Sequence, residues 1–220
     1  MPTNVQALML AEMMAAAASY ITFDAGSVSA VTLSNSNLTA TNTGTTSTNQ
    51  GAHGPSASAK TSGKFYFEIT LVTFTGGGGV AVGVAPSGSA YSDVSFIPPA
   101  NAITCLMASG NIWNHSGNSG TSVGTPANGD VICGALDITN GKVWYRKNNG
   151  LWDGTSGHDP TNPTSGGGQS ITAGTSMLPY VTFGSGLTGG AGVAGNVFTA
   201  NFGASAFTYA VPSGYTGWTQ

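Results

Sequence analysis

The segment GDVICGALDITNGKVWYRKNNGLWDG, which runs from Gly129 to Gly154, decides how this chain folds. Its first half reads as a β-strand that is apolar on both faces. One face carries Ile132, Leu136 and Ile138, and the other carries Val131, Cys133 and Ala135. A strand of this kind must be covered on both sides, because either apolar face would otherwise meet water. The pattern therefore predicts a central strand between two layers.

The second half of the segment reads as the return strand of a β-hairpin. Asn140-Gly141 predicts a two-residue type I′ turn, in which both residues have positive φ. Alternation then resumes, with Val143 and Tyr145 on one face and Lys142, Trp144 and Arg146 on the other. A second turn is predicted at Asn148-Asn149-Gly150.

Short strands separated by turn residues are predicted along the rest of the chain. The strands are Tyr20 to Phe23, two within Val31 to Thr43, Lys64 to Phe74, Val80 to Val84, and a pair within Ile103 to Trp113 around Ser109-Gly110. Loops are predicted at Gly44 to Ser62, Tyr91 to Pro99, Asn114 to Asn128, Asp153 to Gln169 and Gly184 to Gly195. Such spacing is typical of an antiparallel β-sandwich.

Charged residues make up only 6% of the 220 residues, and the net charge is −3. Ordinary globular domains carry about 25% charged residues. Uncharged surfaces rich in Ser, Thr and Asn suit proteins packed into large assemblies or exposed outside cells. Three of the five basic residues, Lys142, Arg146 and Lys147, fall on one hairpin strand. We interpret them as a solvated strand face, because a nucleic-acid surface needs a longer basic stripe.

Four segments, in the right order, resemble SPRY domains and especially the SPRY-like domains of bacteriophage proteins. Besides the hairpin they are GKFYFEITL (Gly63 to Leu71), MLPYVTFGSG (Met177 to Gly186) and NVFTANFGASAFTYAVPSGYTGW (Asn196 to Trp218). The resemblance implies an all-β fold: an antiparallel, concanavalin-like jelly-roll sandwich over residues 20–220. It also implies that ligands bind to loops at one end of the sandwich, and that Glu68 has a structural role.

Residues 1–19 are predicted to form an apolar docking helix ahead of the sandwich. Thr3 and Asn4 can cap it, and its sequence is rich in Ala, Leu and Met. The residues expected to bind another virion protein or a second copy of the chain are Leu8, Leu10, Met13 and Met14. The alternative is that the helix covers an end of its own domain. The segment is too short for a membrane span and has no secretory-signal pattern.

Aromatic residues in the loops are the candidate ligand-binding residues. Tyr91, Trp113 and Trp152 fall in or beside loops that flank the central strands, and His115 and Asp153 lie next to two of them. Tyr and Trp are favoured at recognition surfaces. The alternative is that Trp113 and Trp152 only cover the core.

The other chemically reactive residues do not indicate an enzyme or a cofactor. Asp153, His158 and Asp159 are interpreted as solvated residues of a glycine-rich loop, with weak metal or sugar contact as the alternative. Cys105 and Cys133 are interpreted as buried thiols, although a disulfide between them is open. We expect no metal site, because no His, Cys and Asp cluster has ligand spacing.

These patterns favour a non-enzymatic function. The leading hypothesis is a bacteriophage virion protein, as a decoration, fibre or tail-associated component that presents a SPRY-like binding module. The alternative is a module that binds carbohydrate or protein on the host cell surface. A glycan-processing enzyme is the third hypothesis, and it lacks a rigid pair of acids.

Overall fold

The computed structural model describes residues 18–45, 49–91, 94, 98–184 and 193–220. In these residues thirteen strands form two sheets, and every strand pairing is antiparallel. One sheet contains β1 (Val31–Ser34), β2 (Thr39–Asn42), β4 (Lys64–Thr73), β9 (Val131–Asp137), β10 (Lys142–Lys147), β11 (Gln169–Ser170) and β13 (Val197–Asn201). The other contains β3 (Gln50–His53), β5 (Ala81–Pro86), β6 (Ile103–Leu106), β7 (Asn111–Asn114), β8 (Gly117–Ser122) and β12 (Met177–Gly184). Single 3₁₀ turns lie at Ser56–Ser58 and Trp152–Gly154.

The strand order places β9 deep in the larger sheet. That sheet runs β1-β2-β13-β4-β9-β10-β11, and the smaller one runs β3-β12-β5-β6-β7-β8. Every residue of β9 is buried, so the prediction of a central, doubly covered strand is confirmed. The docking helix was predicted over residues 1–19. Residues 1–17, with the four contact residues, lie outside the described residues, and Ala18 and Ser19 are not helical.

The main core lies between the two sheets. It contains the inward faces of β4, β9 and β10, as the alternation of the sequence predicts. The buried residues predicted for these strands are Phe65, Phe67, Ile69, Leu71, Ile132, Leu136 and Tyr145, and each is at most 8% exposed. Both cysteines are buried free thiols, with Cys105 on β6 of one sheet and Cys133 on β9 of the other.

The turn between β9 and β10 differs from the predicted type I′ hairpin. Asp137 pairs with Lys142, so four residues form the loop rather than two. Only Gly141 has positive φ, at 66°, and its N–H donates to the carbonyl of Ile138. The Asp137 carboxylate explains the difference, because it accepts hydrogen bonds from the backbone N–H and the side-chain amide of Asn140. These bonds hold Asn140 in the negative-φ part of the loop.

One other predicted strand and two predicted loops need correction. The segment from Tyr20 to Phe23 is not a strand, because its only ladder contact is a bridge from Tyr20 to Thr219. The predicted loops at Gly44 to Ser62 and Asn114 to Asn128 contain β3 and β8. These two strands, QGAH and GNSGTS, lack β-branched runs and aromatic residues. Pairing with β12 and β7 therefore overrides their weak local preference.

Candidate binding surface

A C-terminal strap, residues 203–215, crosses the outer face of the seven-stranded sheet. The chain leaves β13, passes over β4 and β10, and returns where Thr216 bridges to Phe65. The strap covers a second hydrophobic cluster on this face. Its buried members are Tyr66, Val131, Cys133, Ala135, Trp144 and Tyr215, and its partly buried members are Trp152, Phe207, Tyr209 and Val211.

Two buried charged residues hold the strap through its backbone. The Glu68 carboxylate accepts the N–H groups of Thr208 and Tyr209 at 2.8 and 2.9 Å. The Arg146 guanidinium donates from Nη2 to the carbonyl of Ala210 at 2.7 Å. Glu68 also accepts the hydroxyl of Tyr66 at 2.9 Å. The structural role that the family resemblance implied for Glu68 is therefore to position the strap.

Arg146 is buried, which corrects its interpretation as part of a solvated strand face. Its side chain is only 7% exposed, whereas Lys142 and Lys147 on the same strand keep partial exposure. The guanidinium lies 4.5 Å from the centre of the Trp152 ring, a cation–π contact. Arg146 thus links Trp152 to the strap at Ala210.

Asp153 is also buried, which corrects the interpretation of its cluster as solvated loop residues. It adopts φ 51° and ψ 20° in the 3₁₀ turn, and its Oδ1 accepts the backbone N–H of Tyr145 at 2.9 Å. Its Oδ2 lies 3.0 Å from Nδ1 of His158. Asp159 is exposed and accepts hydrogen bonds from Thr161. Asp153 therefore satisfies part of the free edge of β10 beyond the two-residue strand β11.

Burial is the largest cause of the pKa shifts of Asp153, Cys133 and Tyr66. Burial raises the pKa of Asp153 above its ordinary value, although hydrogen bonds from Tyr145 and His158 act in the opposite direction. Burial also raises the pKa of Cys133 to about 11, so its thiol is protonated and unreactive at neutral pH. The pKa of Tyr66 is raised by the same cause.

The rim of this face carries partly exposed apolar side chains. Leu151 is 58% exposed and directly precedes Trp152, which is half-buried. Tyr209 and Val211 of the strap are also half-buried and pack on the same cluster as Trp152. We call Leu151, Trp152, Tyr209 and Val211 the Trp152 surface. Among these four residues, only Trp152 is a ligand residue predicted from the sequence. Leu151 follows the NNG turn in NNGLW, and Tyr209 and Val211 belong to the alternating apolar segment FTYAV, so these patterns could have indicated them.

The other predicted ligand residues lie elsewhere. Tyr91 is buried on the outer face of the six-stranded sheet, where its hydroxyl donates to the carbonyl of Ser27. Trp113 is half-buried on β7, and His115 is exposed in the tight β7–β8 turn. Trp152 and Asp153 thus share one 3₁₀ turn. Trp113 and His115 lie on the β7–β8 hairpin, whose strand β8 contacts that turn, and Tyr91 lies on the outer face of the six-stranded sheet.

The part of the chain that the structure describes contains no cavity. Over the same residues, no group of three or more His, Cys, Asp or Glu side chains is arranged to hold a metal ion. No helix there combines the length and apolar character that crossing a membrane requires.

Comparison with solved structures identifies the fold class. The SPRY domain of human HERC1 superimposes with a TM-score of 0.59, and the match covers 81% of this chain and 96% of that domain. The two sequences are 17% identical, so the likeness concerns the fold alone. No protein-family model and no curated protein matches the sequence. The chain has a SPRY-like β-sandwich fold.

Proposed function

We propose that this chain is a non-enzymatic binding module that docks a protein partner on the Trp152 surface. The supporting observation is the construction of that surface. The Trp152 ring packs on the Arg146 guanidinium, and the guanidinium donates a hydrogen bond to the strap carbonyl of Ala210. Aromatic residues and arginine are enriched at the centres of protein interfaces, where Trp, Tyr and Arg contribute most of the binding energy. Folds of this class serve as scaffolds for such sites.

We further propose that the module belongs to a bacteriophage virion, as a decoration, fibre or tail-associated protein. Two features of the sequence support this assignment: the resemblance of its segments to phage SPRY-like domains, and a chain in which only 6% of the residues are charged. The apolar segment at residues 1–19 is proposed to dock on another virion protein or on a second copy. Localisation in the virion is part of the same proposal.

The binding surface is tested with two substitutions and a matched control. Leu151→Ser and Trp152→Ala should each weaken binding to purified particles of the encoding phage by at least about tenfold, because central anchors contribute about 2 kcal/mol or more. Val193→Ser is the control, since Val193 is also an exposed aliphatic residue, at 38%, but is not part of the Trp152 surface. Leu151→Ser and Val193→Ser should keep the wild-type melting temperature. Trp152→Ala should lower it, because the ring packs on the cluster and on Arg146, so its binding is measured at a temperature at which circular dichroism shows the variant folded.

The result that rejects the docking surface is wild-type binding by both Leu151→Ser and Trp152→Ala. The virion assignment has a separate test, which is mass spectrometry of purified particles. Absence of the chain from those particles would reject the virion role while leaving the docking surface standing. Saturable binding to a glycan array, lost in Trp152→Ala, would instead favour the carbohydrate-binding alternative.

A further inference from the structure

Three Asn-Gly steps occur in this chain, at Asn128-Gly129, Asn140-Gly141 and Asn149-Gly150. Asparagine is among the chemically labile residues of proteins. Glycine after it increases the lability, because without a Cβ its backbone nitrogen can approach the asparagine side chain closely. The three steps are chemically alike, so any difference among them must come from the fold.

Two of the three asparagine side chains are held by the fold. Asn128 Oδ1 accepts the backbone N–H of Phe74 at 2.6 Å. Asn140 Nδ2 donates at 2.8 Å to Oδ2 of Asp137, a carboxylate whose side chain is completely buried. Each side chain must give up its hydrogen bond before it can turn toward the following nitrogen.

Asn149 differs from both. All three asparagines are exposed, but within the described ranges only the Asn149 side chain makes no hydrogen bond, ion pair or ring contact. The glycine nitrogens do not distinguish the three steps, because each donates a backbone hydrogen bond. Gly150 donates to Lys147, Gly141 to Ile138 and Gly129 to Leu71. The difference therefore lies in the side chains.

We propose that Asn149 is a site of spontaneous deamidation in the folded protein, and that the fold protects Asn128 and Asn140. The deprotonated nitrogen of Gly150 attacks Cγ of Asn149, so that an N–Cγ bond forms, the Cγ–Nδ2 bond breaks and ammonia leaves with a proton. Water then opens the succinimide at either carbonyl. The product is a carboxylate at position 149, as aspartate or isoaspartate, and no electrons are transferred.

The modification changes the surface next to it. Position 149 is two residues before the exposed Leu151, and the product adds a negative charge beside an uncharged apolar surface. Its effect on partner binding rests on the proposed function, whereas the chemistry does not. Deamidation is therefore measured without any partner.

The test follows the three Asn-Gly steps within one sample. The folded protein is incubated at mildly alkaline pH, digested, and analysed by mass spectrometry for the mass gain at each asparagine and for isoaspartate. We expect Asn149 to convert at least about tenfold faster than Asn140, since a bond to a carboxylate must be broken at the latter. In protein unfolded with urea, the three rates should converge.

The controls separate protection by the fold from local sequence. Asn149→Ser should abolish the dominant product and leave the rates at Asn128 and Asn140 unchanged. Conversion of Asn140 or Asn128 as fast as Asn149 in the folded protein overturns the proposal. Rates at the three sites that differ equally in the folded and the unfolded protein overturn it as well, because sequence alone would then set the order.

Discussion

Two buried carboxylates on one sheet show how single residues position the surrounding chain. Glu68 points out of β4 and accepts two backbone N–H groups from the strap. Asp153 lies in the turn after β10 and accepts the backbone N–H of Tyr145. Each satisfies a peptide group that no strand reaches, as buried polar groups require.

The pH dependence of stability should reveal Asp153. Because burial raises its pKa above the ordinary 3.8, the folded chain binds more protons at this site than the unfolded chain. The contribution of protonated Asp153 to the free energy of unfolding is therefore fully present when the pH is below the ordinary pKa, and it is lost as the pH rises through the folded-state pKa. Asp153→Asn should remove this fall in the free energy of unfolding, measured by urea denaturation at a series of acidic pH values. A difference between wild type and variant that stays constant with pH would contradict the assignment.

Leu136 on β9 tests the centre of the core. Leu136→Ala should lower the free energy of unfolding by about 2–5 kcal/mol, because the removed atoms leave a cavity between two rigid sheets. Leu151→Ala is the matched control, since Leu151 is 58% exposed, and it should change the value by no more than about 0.5 kcal/mol. Equal effects of the two substitutions would mean that β9 is not central.

At the level of elements, the strap depends on the Glu68 carboxylate. Glu68→Gln replaces one acceptor oxygen by an amide that cannot accept the N–H of Thr208 or Tyr209. We expect a loss of about 1–3 kcal/mol in the free energy of unfolding and faster hydrogen exchange at those two amides. Asp159→Asn, an exposed carboxylate, is the control and should leave their exchange unchanged. Unchanged exchange in Glu68→Gln would show that the strap is held without Glu68.

The β9–β10 loop can be tested by comparing two glycines of positive φ. A Cβ at Gly141 would lie 2.4 Å from the carbonyl oxygen of Ile171, whereas one at Gly174 would meet nothing within 4 Å. Gly141→Ala should therefore lower the melting temperature clearly more than Gly174→Ala, and Gly141→Val should lower it further. Equal melting temperatures for the two alanine variants would contradict the close approach of Gly141 to Ile171.

Strong local patterns predicted most elements, and weak ones failed for identifiable reasons. Alternation of large apolar residues was sufficient to predict β4, β9 and β10, because the apolar face of each strand is the face that packs in the core. The polar strands β3 and β8 have no such alternation. They are extended because they form backbone hydrogen bonds with the neighbouring strands β12 and β7. The burial of Arg146 could not be predicted from the sequence, because the strap carbonyl that its guanidinium binds, that of Ala210, is 64 residues away.

At the scale of the whole molecule, the N-terminal segment is the remaining sequence-based prediction. Deleting residues 1–19 should leave the sandwich folded and abolish incorporation into particles, if this apolar segment docks on another subunit. Circular dichroism and a particle-incorporation assay measure the two outcomes. Incorporation of the truncated protein would reject docking, and failure to fold would mean that the segment belongs to its own domain's core.

The position of β13 has a consequence for how the protein is made. β13 lies between β2 and β4, although more than 120 residues of chain separate it from β4. The β1–β2 hairpin therefore has no partner in its sheet until nearly the whole polypeptide has left the ribosome. Such long-range pairing slows folding and leaves strand edges exposed in the meantime. Nascent chains that end before Val197 should consequently be captured by chaperones, whereas the full-length chain closes its larger sheet in a late step.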